Sequence, residues 1–157
     1  MQKVTPFLWF DDKAEEAAKF YVSVFKEARI LETQYYGEAG PRPAGSVLTV
    51  TIDLFGQEFV ALNGGPHFKF TPAVSFFVSC KTQEEIDAYW EALLVGGTAL
   101  QCGWITDRYG VTWQIVPQVL LEMLQDKDRA RATRVTRAMF KMVKLDIAAL
   151  TQAYEAA

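Results

Sequence analysis

The alternation of apolar and polar residues is clearest near the middle of the chain. From Val47 to Phe55, one face of a strand would carry Val47, Thr49, Thr51, Asp53 and Phe55, and the other Leu48, Val50, Ile52 and Leu54. A period of two is typical of a β-strand. Phe55-Gly56 offers a tight turn into a second strand over residues 58–62, so the pattern predicts a hairpin.

Two segments each combine an apolar run with a helical period. Residues 5–10 and 74–80 have the pattern of strands, and residues 29–36 that of another. After the first run, apolar residues at three- and four-residue spacing predict a helix over residues 14–25, capped by Asp11 or Asp12. After the second, a helix is expected from Gln83 to Val95, ending at Gly96-Gly97.

These two strand–helix pairs resemble each other. An offset of 69 positions superimposes Glu84-Glu85 on Glu15-Glu16, and residues 75–79 on residues 6–10. An offset of 54 superimposes residues 108–116 on residues 54–62. The alternatives are a two-fold internal repeat of strand–helix–strands or a chance similarity between amphipathic segments. The repeat predicts an α+β fold, with one module over residues 3–65 and a second over residues 72–117.

The chain becomes helical after Pro117. We expect helices over residues 118–124, from Asp128 to about Val143, and over residues 145–154, so that residues 118–156 form a C-terminal helical segment. Its apolar stripe must cover either the sheet or a partner subunit. Its basic residues, among them Arg131, Arg134 and Arg137, are typical of a solvated face, although a face that binds RNA, phosphate or a partner protein is the alternative.

Composition narrows the function classes. The 157 residues include 16 basic and 19 acidic ones, a net charge of −3 that disfavours a general nucleic-acid binder. Two cysteines are too few for a disulfide scaffold, and the single histidine excludes a multi-histidine metal site. No basic-then-apolar leader opens the chain and no uncharged stretch is suited to span a bilayer, so we expect a soluble, cytoplasmic protein without membrane contact.

Five segments together resemble a known family. They are residues 7–10 with 15–21, Leu62-Asn-Gly-Gly-Pro66, Ser75-Phe-Phe-Val78 and residues 102–117. They resemble the PhnB-like branch of the vicinal oxygen chelate superfamily, which also contains glyoxalases, bleomycin-resistance proteins and dioxygenases. The resemblance implies two βαβββ modules in a cupped mixed sheet with a central cavity, usually in a homodimer.

The same resemblance allows a test for metal ligands. Metal-dependent members of the superfamily carry a ligand such as histidine on the first strand of each module and a carboxylate on the last. Here the first-strand positions fall at Thr5 or Pro6 and near Ala73, and the last-strand positions at Val60 or Ala61 and at Gln114. These are poor ligands for a divalent cation. We therefore predict no metal and no cofactor.

Other polar and aromatic side chains are candidates for lining a small-molecule pocket. They are Thr49, Thr51, Asp53, Asn63, His67, Trp104 and Gln114. The face of Thr49, Thr51 and Asp53 lines a cavity or is the wet side of a sheet. His67 is an acid–base group or a loop residue, and both cysteines are more typical of packed thiols than of nucleophiles.

Three functions remain after these observations. The first is a metal-free protein that binds an apolar or aromatic small molecule. The second is a lyase or dioxygenase whose metal ligands the predicted register missed. The third is an oligomeric protein whose basic C-terminal helix binds a partner.

Members of the resembled branch often carry a 3-demethylubiquinone-9 3-methyltransferase label. However, the chain has no glycine-rich loop between a strand and a helix for S-adenosylmethionine, so methyl transfer is disfavoured.

Overall fold

The computed structural model describes residues 2–157. The chain divides into two compact units, the first ending at Phe70 and the second beginning at Thr71. No helix within residues 2–157 has the length and apolar character needed to cross a membrane. Each unit contains a mixed four-stranded sheet.

The first unit is a βαβββ module. Its elements are β1 (Phe7–Phe10), α1 (Ala14–Val24), β2 (Ala28–Tyr35), β3 (Val47–Leu54) and β4 (Gln57–Asn63). The sheet order is β1-β4-β3-β2, with β1 parallel to β4 and the other pairs antiparallel. The predicted hairpin is confirmed, because β3 and β4 pair across a turn in which Phe55 and Gly56 both have positive φ.

The second unit begins with an equivalent module. Its elements are β5 (Ser75–Cys80), α2 (Gln83–Leu94), β6 (Thr98–Ala99), β7 (Trp104–Thr106) and β8 (Thr112–Pro117). The order β5-β8-β7-β6 repeats that of the first sheet, and β5 is parallel to β8. The α+β class and the repeated βαβββ unit are therefore confirmed.

The offset between the two first strands needs a correction of one residue. Leu8 and Phe10 are the buried residues of β1, and Val78 and Cys80 are those of β5, which is an offset of 70 rather than 69. Strand pairing agrees, since Leu8 is the partner of Ala61 and Val78 that of Ile115, residues 54 positions apart. A strand slipped by one residue would turn its apolar side chains to the wrong face, so burial decides the register.

The start of α1 also differs from the prediction. The helix begins after Lys13, not after Asp11 or Asp12, and Lys13 makes no side-chain capping hydrogen bond. Instead, the amide of Ala14 donates to Oδ1 of Asn63, 2.8 Å away and 49 residues later in the chain. An oxygen supplied by β4 thus satisfies a helix amide that a local cap usually satisfies.

Three helices follow β8. They are α3 (Gln118–Leu124), α4 (Arg129–Met139) and α5 (Ile147–Glu155). The expected end of the middle helix near Val143 was four residues too late. Val116 of β8 shares a core cluster with residues of all three helical stretches, namely Leu120, Met123, Val135, Leu145 and Leu150. The helices therefore dock on the second module of their own chain.

Two arginines of the predicted basic face are held by contacts inside this helical segment. Arg134 donates from Nε to the carbonyl of Ala153 (3.1 Å) and from a terminal nitrogen to that of Tyr154 (3.3 Å). The guanidinium of Arg131 lies over the Tyr154 ring, 5.2 Å from its centre. These side chains satisfy and cover the end of α5, so the positive charge of α4 has a structural use.

Candidate functional site

Each sheet has one face against its helix and one face turned away from it. In the first sheet, Val50, Ile52 and Leu54 of β3 are buried on the helix side, and Thr49, Thr51 and Asp53 lie half-buried on the other. We call this second side the open face. Thr49 pairs with Leu62, which pairs with Trp9, so an indole, an isobutyl and a hydroxyl group share one row.

Asp53 stands at the edge of this open face and stabilises the hairpin. Its Oδ1 accepts a hydrogen bond from the amide of Gly56 (2.6 Å), and its Oδ2 forms an ion pair with Arg29 (3.3 Å). Lys26, Phe55 and these residues border a wide cleft of about 360 Å³ at the turn. Because Arg29 is largely exposed, we assign the carboxylate of Asp53 chiefly to the turn.

Asn63 makes three hydrogen bonds inside the first module. Besides accepting from Ala14, it donates from Nδ2 to the carbonyl of Val47 (3.1 Å), and its own carbonyl accepts from the Tyr36 hydroxyl (2.6 Å). The side chain is only 5% exposed and lies on the helix side of the sheet, since it pairs with Phe10. Asn63 therefore joins strand, helix and loop, and it does not face the open side.

His67 lies on a segment that wraps around Trp9. The Trp9 indole donates to the carbonyl of Gly65 (2.9 Å), and the Phe68 ring meets it edge-on with 5.0 Å between centres. A Cβ atom on Gly64 would overlap the indole ring, which explains the need for glycine at that position. His67 itself is exposed, beside this aromatic pair.

The open face of the second sheet joins two of the predicted candidates. Trp104 of β7 is directly opposite Gln114 of β8, and Gln114 is opposite Phe77 of β5. The Gln114 amide donates to the hydroxyl of Ser75 (2.9 Å). All four side chains are at least partly accessible, so the Gln114 carboxamide lies between two aromatic rings, with the Ser75 hydroxyl beside it on β5.

The two open faces correspond position by position. With the strand registers given above, the equivalent rows are Phe7, Val60 and Thr51 in the first sheet and Phe77, Gln114 and Trp104 in the second. Both rows start with an exposed phenylalanine. The second row is richer in aromatic and hydrogen-bonding groups, since a tryptophan and an amide replace a threonine and a valine.

Asp107 is an important residue that the sequence analysis missed. Its carboxylate is buried at 3% exposure and accepts hydrogen bonds from the amides of Tyr109 (2.8 Å) and Val111 (3.1 Å) and from the indole of Trp113 (2.9 Å). It shapes the turn between β7 and β8, three residues before Gly110. The same Asp-x-x-Gly spacing at residues 53–56 is the signal that would have identified it.

Both cysteines are free thiols. Burial, and secondarily the charge of Glu85, raises the pKa of the Cys80 thiol to about 12. The sulfur of Cys102 lies 3.6 Å from the carbonyl of Met139. Cys80 therefore carries almost no thiolate at neutral pH, which fits a packed thiol.

The donor atoms at the superfamily's ligand positions do not fit a tightly bound cation. The corrected register moves the second-module mate of Thr5 from near Ala73 to Ser75, whose hydroxyl accepts from Gln114. Hydroxyl and amide oxygens are then the only donors, where a divalent cation prefers carboxylates or imidazoles. Across residues 2–157, no group of three or more His, Cys, Asp or Glu side chains is placed to hold a metal.

Comparison with known proteins agrees with this fold. The family described as 3-demethylubiquinone-9 3-methyltransferase matches residues 2–116. The chain belongs to this family. A PhnB protein from Bacillus cereus is 41% identical to it, over 74% of this chain and 99% of that one, with a TM-score of 0.68. No curated protein matches.

More distant structures show the same fold. Protein PA1353 from Pseudomonas aeruginosa is 19% identical, covering 74% of this chain and 98% of that one, with a TM-score of 0.63. The fosfomycin resistance protein FosX from Listeria monocytogenes is 14% identical, covering 78% of this chain and 97% of that one, with a TM-score of 0.53. The family member described here is therefore a PhnB-like protein of the vicinal oxygen chelate superfamily.

Proposed function

We propose that this PhnB-like protein binds a small aromatic or apolar molecule on the open faces of its sheets, without a metal ion. The observation that supports this most is the row of Phe77, Gln114 and Trp104 on the second sheet. Binding sites for small molecules combine apolar and aromatic walls with a few polar groups that fix orientation. This row has that composition.

The hydrogen bonds within the row indicate what kind of ligand it suits. Gln114 uses one amide hydrogen on Ser75, which leaves its carbonyl oxygen to accept from a ligand. The Ser75 hydroxyl, in turn, is able to donate its hydrogen. A ligand with one hydroxyl or amide group on an aromatic ring would satisfy both groups while its ring packs against Trp104.

Neither methyl transfer nor metal-assisted catalysis is supported by the residues present. The common S-adenosylmethionine fold uses a long parallel sheet, whereas each sheet here has one parallel pair among its four strands. The neutral oxygens at the ligand positions would hold a divalent cation weakly. The family's methyltransferase description is therefore not the activity that we propose.

A fluorescence titration tests the proposal. Binding of 1-naphthol to the purified protein is followed by the change in tryptophan emission, with the metal content of the same sample measured by mass spectrometry. We expect Gln114→Leu to weaken binding about fivefold, since one hydrogen bond contributes about 1 kcal/mol. Trp104→Ala is expected to weaken it about tenfold through lost ring contact.

Matched controls separate these effects from general damage. Gln152→Leu makes the same change at an exposed position of α5 and should leave binding unchanged. Equal binding by Gln114→Leu, Trp104→Ala and the unaltered protein would contradict the placement of the site. Near-stoichiometric, tightly held zinc, iron or manganese would contradict the metal-free proposal and favour a lyase or dioxygenase.

We also propose that the protein is a homodimer, as the resemblance implies. The apolar stripe of α4 does not support this further, because Ala132 and Val135 are buried within their own chain. Light scattering over a hundredfold concentration range provides the test. We expect about twice the chain mass of 17.7 kDa, and a monomer at every concentration would refute the proposal.

A further inference from the structure

The last quarter of the chain lies outside the family match. That match ends at residue 116, and 74% of this chain is enough to cover 99% of the PhnB protein from Bacillus cereus. The helices α3, α4 and α5 with their connections, residues 118–155, thus lie beyond the residues that match the family. We call them the C-terminal layer.

This layer is attached to the second module at fixed points. The amides of Cys102 and Gly103 donate to the carbonyls of Met142 (2.9 Å) and Val143 (2.7 Å). On the other side, Oε1 of Gln83 accepts from the amide of Ile147 (2.8 Å), and Lys144 pairs with Asp87 (2.6 Å). Backbone, side-chain and core contacts together make the layer part of the module.

The C-terminal layer covers one end of the second open face. Val116 points to the same side of β8 as Gln114, two residues away, which is about 7 Å along a strand. Yet Val116 is only 5% exposed, because it belongs to the core of the layer. Leu62, its equivalent in the first sheet, is only half-buried. A molecule lying on Gln114 would therefore meet the layer in the direction of Val116.

Two methionines lie at the edge of the C-terminal layer, near Val116. Met139 and Met142 pack against the cluster around Val116 but remain half-buried, so part of each side chain is accessible. Both methionines lie beside Cys102, two residues before Trp104, because the Met139 carbonyl accepts a hydrogen bond from the Cys102 thiol and the Met142 carbonyl accepts one from the Cys102 amide. Unbranched thioether side chains adapt to varied apolar surfaces.

We propose that the C-terminal layer limits the size of ligand accepted beside Trp104 and Gln114, with Met139 and Met142 as the residues that set the limit. This inference rests on the proposed function. The preferred ligand class is an aromatic ring with a polar group and a short apolar substituent. Longer substituents meet the layer, whereas a PhnB-like protein without it leaves that end of the face open.

A series of 4-alkylphenols, from 4-methylphenol to 4-octylphenol, tests the limit by competition against 1-naphthol. For the unaltered protein, affinity should rise with the first added carbons and then fall. In Met142→Ala and Met139→Ala, the longest phenol that binds well should be two or three carbons longer, with about a tenfold gain for that compound. Met142→Phe should shift the limit in the opposite direction, which tests the proposal without opening a cavity.

Met123→Ala is the matched control, because it shortens a methionine buried in the same layer on α3. It should lower stability without changing the order of the phenols. An unchanged order in every Met139 and Met142 variant, while the phenols still bind, would overturn the size limit and leave the proposed function intact. If neither 1-naphthol nor any phenol binds the unaltered protein, both proposals fail.

Discussion

Replacement of Asp107 should destabilise the protein more than replacement of Asp53, the turn carboxylate of the first module. The carboxylate accepts from two backbone amides and from the Trp113 indole, all at 2.8–3.1 Å. Asp107→Ala leaves these donors without their acceptor. The amide of Val111 and the indole are buried, and each unsatisfied buried donor costs about 1–3 kcal/mol. We expect a loss of about 4 kcal/mol.

Asp107→Asn makes the expectation more specific. One oxygen remains, so the asparagine retains either the backbone amides or the indole as donors, and its own amide group then faces another donor. A loss of about 2 kcal/mol should result, intermediate between the alanine variant and the unaltered protein. Urea unfolding followed by circular dichroism at pH 7 gives these free energies by linear extrapolation.

Asp53→Ala is the control within the same chain, because it removes the turn carboxylate of the first module. The amide of Gly56, its partner, lies in an exposed turn where water replaces the lost acceptor. The cost should be about 1 kcal/mol. If Asp107→Ala is no less stable than Asp53→Ala, the reasoning about buried donors is wrong.

Three further experiments test the fold. Asn63→Leu should cost about 3 kcal/mol in urea unfolding, because the amide of Ala14 and the carbonyl of Val47 both lose their partner; a cost below 1 kcal/mol would contradict that role. Cys80 should resist iodoacetamide at pH 8 in the native protein and react after unfolding in guanidinium, because burial raises the pKa of its thiol to about 12. Labelling is located by peptide mass spectrometry, and rapid labelling of Cys80 in the native protein would contradict its burial. Tyr154→Phe removes the hydrogen bond that chiefly lowers the pKa of Asp126 from its usual 3.8. A carboxyl pKa that is lowered in the folded protein stabilises the native state at pH values above the unfolded-state pKa. The stability difference between the two proteins should therefore be full at pH 6–7 and disappear as the pH falls below about 3.8 and through the folded-state pKa of Asp126. A stability difference that does not change with pH would refute this.

The sequence was sufficient to identify most of the secondary structure. The alternation over residues 47–55 and the Phe55-Gly56 turn predicted the β3–β4 hairpin. The internal similarity predicted two repeated modules, and the structure shows that their sheets share one strand order. These features follow from local rules, since a period of two and a turn residue with positive φ act within a few neighbouring residues. The resemblance of residues 102–117 led to the right family.

The candidate site depended on contacts between distant residues. The alternation showed that Thr49 and Thr51 share a face, but only packing against α1 showed which face is covered. Asn63 is a polar residue of the kind that often lines pockets, yet its side chain accepts a hydrogen bond from the amide of Ala14, 49 residues away. His67 is exposed beside Phe68 and Trp9, and both alternatives for it, an acid–base group or a loop residue, stay predictions.

Local pattern determined which segments of this protein are strands and helices, because each depends on the spacing of apolar residues and on turn chemistry. Tertiary structure decided the one-residue register of β5, the acceptor at the start of α1, and the covering of Val116 by the C-terminal helices. The reason is that burial and hydrogen-bond satisfaction depend on partners brought together from far along the chain. The same holds for Asp107, whose importance lies in the buried donors that surround it.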